Sequence, residues 1–171
     1  TNTTSRRRRH GVVKLIPIDH GFTLPRIDSL GDATFEWMKW PQSRKPFSHV
    51  MLSYIRNLDA EMDVRILRRY HTPRSSSCLK IGTLSLLTLR VCTMWLKCCA
   101  LRGMTAYEIG QTMCRSSESP ALPSVLESLV VEASKIAKIN LDSGVKDMNN
   151  SQISDFMGAF KKLTERKKKS E

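Results

Sequence analysis

The stretch from Ile81 to Leu101 limits the possible folds more than any other in the 171-residue sequence. It is the most apolar stretch of the chain, and Arg90 and Lys97 are its only charges. That is too long for a strand, and it predicts a helix over residues 83–101 with Gly103 placed to cap its end. Its longest uncharged run falls well short of the ~20 residues needed to span a bilayer, so membrane contact is expected to be peripheral.

Other helices follow from local signals. Thr105-Ala-Tyr-Glu108 and Ser124-Val-Leu-Glu127 are capping boxes, in which hydroxyl and carboxylate satisfy each other's orphan backbone N–H groups. They predict helices to about Arg115 and about Ile139, separated by a proline-bearing linker over residues 116–123. Ser48 is placed to cap a helix to about Leu58, offering Val50, Leu52, Tyr54 and Ile55 to a core. Asp59 is placed to cap the next, with Met62, Ile66 and Leu67 on one side, before a turn-rich break at residues 71–77. Residues 140–150 read as a linker. Beyond it Ile153, Phe156, Met157, Phe160 and Leu163 recur on one helical face. Val12–Ile18 reads as a short strand, at an edge or at its own end because Pro17 cannot donate to a ladder. Residues 22–47 lack periodicity and read as an ordered loop. No internal repeat is visible.

Charge is uneven. The formal net charge is +12, with Arg6–Arg9 at one end and six Lys or Arg against two Glu in residues 161–171 at the other. Such ends read first as solvated tails, and they can also meet anionic lipid, nucleic acid or an import receptor. Five cysteines, an odd number with no Cys-x-x-Cys pair, read as reduced and mostly buried thiols of a cytoplasmic or nuclear protein. His10, His49 and His71 read as surface residues. No signal peptide is seen.

Five blocks carry a family resemblance, in order and with similar spacing. They are Lys14-Leu-Ile-Pro-Ile-Asp-His-Gly-Phe-Thr-Leu-Pro25; Phe35-Glu-Trp-Met-Lys-Trp-Pro-Gln42 with Pro46-Phe47-Ser48; Tyr54-Ile55 with Leu58-Asp59; Leu89-Arg-Val-Cys-Thr-Met-Trp-Leu-Lys97; and Gly103-Met-Thr-Ala-Tyr-Glu-Ile-Gly110 with Met113-Cys-Arg115. Over about residues 12–139 the chain resembles the plant-type gamma class of phosphatidylinositol 4-kinases, in the phosphatidylinositol 3- and 4-kinase superfamily. The resemblance implies the later, mainly α part of a kinase-like C-lobe with a short β element near the N-terminus. The implied organisation is a basic end at 1–10, a partial lobe at 11–139, and a linker, amphipathic helix and basic tail at 140–171.

It also implies that Asp19, in Asp19-His20-Gly21, is the magnesium ligand, that the three residues face ATP with its Mg2+, and that residues 22–47 are the activation segment. An Asp at a strand end suits the task, because the strand fixes the carboxylate and Gly21 lets the chain turn away. Trp37, Trp40, Lys39, Arg44 and Lys45 are candidates for a surface facing substrate or lipid, with at least one tryptophan expected in the core. Glu108 is given a capping job only. The family's catalytic loop, approximately Asn-x-Asp-Arg-x-x-Gly-Asn, is not matched upstream. Thr4 stands where its Asp belongs, and Ser5–His10 supply no Gly-Asn pair. The implied activity is phosphate transfer from ATP to the 4-hydroxyl of phosphatidylinositol, with the isolated chain expected to be inactive. The rivals are a Ser/Thr protein kinase of the same family, a non-catalytic pseudokinase-like interaction module and, ranked last, a nucleic-acid binder.

Overall fold

The structure is a computed structural model that describes residues 24–69, 81–141 and 147–166. Six α-helices carry it: α1 (His49–Asn57), α2 (Ala60–Arg69), α3 (Thr83–Ala100), α4 (Ala106–Met113), α5 (Val125–Ile136) and α6 (Asn150–Arg166). No strand occurs among the described residues. The fold is mainly α, as expected, and the strand expected at Val12–Ile18 and the break at residues 71–77 lie outside them.

α3 is the central element, packed by α1, α2, α4, α6 and the 3-10 turn Ile27–Asp32. Leu84, Leu87, Val91 and Trp95 run along its buried side, and Leu86 and Arg90 are buried beside them. α3 is long and apolar enough to cross a membrane, yet these residues face protein. The two charges that interrupt its apolar run both tie it to neighbours. The Arg90 guanidinium, 6% exposed, donates to both Glu61 carboxylate oxygens of α2 at 2.6 and 3.0 Å. Lys97 Nζ donates to the Leu58 carbonyl at the end of α1, at 2.7 Å. A buried guanidinium is tolerated only when so paired.

α5 packs on α6, and α4 sits against both α3 and α5. Phe156 and Phe160 of α6 are fully buried and stacked, with Ile153 and Leu163 buried on the same face. That matches the periodicity read from sequence. Arg102, just past α3, donates to the Thr164 carbonyl in the last turn of α6 at 2.5 Å, where a cation also meets the negative end of the helix dipole.

The helix starts follow the sequence signals. Ser48 accepts from Met51 N–H, Asp59 accepts from Glu61 and Met62 N–H, and both capping boxes form. α3 closes with a Schellman arrangement: Met104 N–H reaches Cys99 O, Gly103 N–H reaches Ala100 O, and Gly103 takes φ 89°. α5 closes in the same way, with Ile139 N–H on Ser134 O and Lys138 N–H on Lys135 O. There Lys138 holds the left-handed position at φ 55°. This closure ends α5 at Ile136 instead of Ile139, and α4 ends at Met113, where Cys114 turns extended.

Two expectations of burial are corrected, in α1 and for the cysteines. Val50 and Tyr54 of α1 face solvent, because both lie off the side of the helix that carries the buried Ile55. In α2 Met62 and Ile66 are exposed, and Val64 is the residue that is buried. Leu52 and Leu67 are only partly buried. Of the cysteines, Cys99 is buried, whereas Cys92, Cys98 and Cys114 are half-buried. Burial lifts the Cys92 thiol to about 11.

Candidate functional site

Asp19, His20 and Gly21 lie outside the described residues. The structure does describe the segment that follows them and how it is fastened to the helices. Leu24 adopts φ 60°, a left-handed conformation uncommon for residues other than glycine, just before Pro25. The expected loop is then wound into three 3-10 turns, Ile27–Asp32, Glu36–Lys39 and Pro41–Arg44. Such short turns leave no long periodic trace in a sequence.

Three anchors hold this segment. In the first, Ile27 and Leu30 enter the main core, and Arg26 forks onto the Asp28 carboxylate at 2.8 and 3.0 Å. That bond holds the Asp28 carboxyl below the usual carboxylate range.

The second anchor is at Gly31. Its backbone lies so close to Arg115 and Glu127 that a Cβ there would overlap the guanidinium and the carboxylate. Arg115, past the end of α4, and Glu127, in the first turn of α5, form a forked ion pair with N–O distances of 2.7 to 3.1 Å. The same carboxylate accepts Ser124 N–H at 2.7 Å to complete the α5 capping box. Glu127 therefore caps α5 and ties it to the exit of α4, underneath the activation-segment candidate. Hydrogen bonds from Arg115, and then from Ser124, hold its carboxyl below the ordinary range.

The third anchor is α4. Met38 and the Trp37 ring press on Gly110, and Trp37 stacks on Phe35 with centroids 5.1 Å apart. Arg44 lies over the Tyr107 ring, 3.7 Å from its centroid. Ser43 is buried, and its hydroxyl donates to Trp40 O at 2.7 Å.

The lipid-facing candidates therefore divide. Trp37 is half-buried against α4 and Trp40 is exposed, so neither ring lies in the core as expected of at least one. Lys39 is exposed and paired with Glu36 at 2.9 Å, Arg44 is spent on Tyr107, and Lys45 is exposed. Glu108 has the capping role expected, accepting Thr105 N–H at 2.7 Å, and this hydrogen bond lowers its carboxyl below the usual range. His49 is exposed, as expected; His10 and His71 lie outside the described residues.

Sequence reasoning missed the Arg115–Glu127 link. The capping box identified Glu127 as an acid at the start of α5, but nothing local paired it with an arginine from the preceding helix.

Among the described residues no three His, Cys, Asp or Glu side chains gather into a possible metal site. A cavity of about 880 Å³ opens between the α1–α2 junction, α3 and α6. Three of its cations are already engaged: Arg90 by Glu61, Lys97 by Leu58 O and Arg102 by Thr164 O.

No protein-family model matches the chain, and no solved structure matches it. Curated plant proteins do. The chain is 46% identical over 123 residues to phosphatidylinositol 4-kinase gamma 4 of Arabidopsis thaliana, which covers 72% of this chain and 20% of that protein. It is 40% identical over 121 residues to phosphatidylinositol 4-kinase gamma 4 of rice, Oryza sativa subsp. japonica, covering 71% of this chain and 20% of that one. The match to phosphatidylinositol 4-kinase gamma 1 of Arabidopsis thaliana, 37% identical, covers 90% of this chain and 26% of that protein. A match that broad cannot fit within residues 1–139, so similarity continues into α6. The chain is therefore similar over most of its own length to plant phosphatidylinositol 4-kinases gamma, and it spans about a fifth to a quarter of theirs.

Proposed function

We propose that this chain is part of the catalytic C-lobe of an ATP-dependent phosphotransferase that moves phosphate from ATP to the 4-hydroxyl of phosphatidylinositol. The observation that carries the reading is the 46% identity to a plant phosphatidylinositol 4-kinase gamma, together with the Asp19-His20-Gly21 block in its frame. Asp19 is the magnesium ligand in this reading, and His20 and Gly21 lead into the activation segment. Bound magnesium offsets the charge of the transferring phosphate.

The rest of the work falls to the chain's own side chains. Ile27, Leu30, Met38 and Trp37 clamp the segment after Asp19 to α3 and α4. Glu127, shared between Arg115 and the cap of α5, fixes the platform under Gly31. Such preorganisation is what in-line phosphoryl transfer asks of a protein. The chain supplies one metal ligand in this reading. On its own it is expected to bind magnesium-ATP no more tightly than the millimolar range.

A chimaera tests the proposal. Residues 12–139 replace the corresponding stretch of Arabidopsis phosphatidylinositol 4-kinase gamma 4, and labelled phosphate is followed from ATP to phosphatidylinositol vesicles and to casein. Labelled lipid, abolished by Asp19→Asn in a folded chimaera, is the expected result. Label in casein alone would replace this reading by the protein-kinase rival. A folded chimaera that labels neither would leave the non-catalytic module.

A further inference from the structure

We propose that the outer face of α1 and α2 docks on an anionic lipid bilayer. In α1, Val50 and Tyr54 are 79% and 65% exposed, turned off the side of the helix that carries the buried Ile55. In α2, Met62 and Ile66 are 50% and 43% exposed, one turn apart and opposite the buried Val64. Both helices pack on α3, and Leu58 and Asp59 alone join them. Their outer faces therefore both turn away from the core.

Residues 49–69 hold four arginines against three acids. Arg56, Arg65, Arg68 and Arg69 are all exposed. Arg65 gives one N–H to the Glu61 carbonyl at 3.3 Å. Of the acids, Asp59 and Glu61 are exposed but engaged within the chain. Asp59 accepts the Glu61 and Met62 N–H groups, Glu61 holds Arg90, and Asp63 is half-buried. Apolar residues with a tyrosine, flanked by arginines, are the composition of a helix lying in a membrane interface. Anionic headgroups supply the complementary charge.

Two other occupants fit worse. A second copy related by a two-fold axis would set this face against itself, arginine towards arginine. The segments of this chain outside the described residues are neutral or basic: residues 1–23, 70–80, 142–146 and 167–171 hold at least as many Lys and Arg as Asp and Glu. The same arginines repel the basic ones. The proposal does not depend on the chain having kinase activity.

The test is co-sedimentation of the 171-residue chain with vesicles of phosphatidylcholine alone or mixed with phosphatidylserine. Binding is expected only with phosphatidylserine and should weaken as salt rises. Val50→Asp with Tyr54→Asp should lower it roughly tenfold or more. Arg65→Gln, Arg68→Gln and Arg69→Gln should each lower it about fivefold. Val131→Asp, on the exposed side of α5, is the control and should change nothing. Circular dichroism checks folding, and Val50→Ser with Tyr54→Ser serves if the aspartates unfold the chain. Hydrogen exchange on the unaltered protein should slow in residues 49–69 on vesicles. Parental binding by the α1 and α2 variants, with no slowing in 49–69, overturns the proposal and assigns binding to the basic ends. A concentration-dependent dimer broken by the same variants overturns it in favour of self-association. Vesicle-independent capture of an acidic protein on this face overturns it in favour of a protein partner.

Discussion

At the scale of single residues, two glycines of the same type behave oppositely. Both are helical, Gly110 in α4 and Gly158 in α6. A Cβ on Gly110 would stand 2.8 Å from Met38 Sδ and 3.0 Å from the Trp37 ring, whereas one on Gly158 would meet nothing within 4 Å. Replacing glycine by alanine in an open helix is worth about 0.5–1 kcal/mol, from the smaller entropy of the unfolded chain. Gly158→Ala should therefore raise the midpoint of urea unfolding. At Gly110 that gain is outweighed by overpacking, which typically costs about 1–3 kcal/mol, because the indole is rigid and the Met38 thioether also meets Cys114 Sγ at 4.0 Å. Gly110→Ala should lower the midpoint, and an increase would show that Met38 can swing clear. The residue scale is also where reading from sequence did worst. Val50 and Tyr54 look like core by type, but a nine-residue helix with Ile55 inside has to turn them out. Nothing local marks Gly110, since its meaning comes from Met38, 72 positions earlier.

Elements were far more legible where their signals are local. A capping box holds its donor and acceptor within four consecutive residues, so Thr105–Glu108 and Ser124–Glu127 fixed the starts of α4 and α5. The 3-10 turns of the activation-segment candidate were not legible, because tertiary anchors shape them. One such anchor gives a pH prediction. Arg115 holds Glu127 below the ordinary carboxylate range, so the folded chain keeps this group ionised to a lower pH than the unfolded chain does. The stability it adds is complete above about pH 4.3, the unfolded value, and is lost as pH falls through the folded one. Glu127→Gln keeps an oxygen for Ser124 N–H but removes the charge. It should cost about 1–3 kcal/mol at pH 7, with the deficit shrinking towards zero as the parent is acidified. Urea midpoints of both proteins from neutral to acid pH measure this. Equal deficits throughout would mean that the side chain contributes by shape and not by charge. Glu61, lowered by Arg90, and Asp28, lowered by Arg26, remain in the variant, so some acid sensitivity should persist.

At the scale of the whole molecule the question is whether α6 belongs to the folding unit. From sequence it reads as an amphipathic appendage beyond a polar linker, ending in a basic tail. In the structure Met148, Ile153, Phe156, Ala159, Phe160 and Leu163 join the same core as Ile27, Leu87, Ile109 and Leu129, so one cluster reaches from the first 3-10 turn to the last helix. Fully burying an apolar side chain of this size is worth about 1.5–3 kcal/mol. Four large ones, Ile153, Phe156, Phe160 and Leu163, together contribute as much as the entire net stability of an ordinary domain, roughly 5–15 kcal/mol. Their absence would also expose the flanks of α3 and α5 that face α6. A chain cut after Ile139 should therefore lose its cooperative thermal transition and bind a hydrophobic dye, although its helices keep their own caps. Restoring residues 147–166 as a separate peptide should recover part of the transition, since the packing surface is intact and only the connection is missing. Cooperative melting of the cut chain at the parental temperature would instead place α6 outside the folding unit.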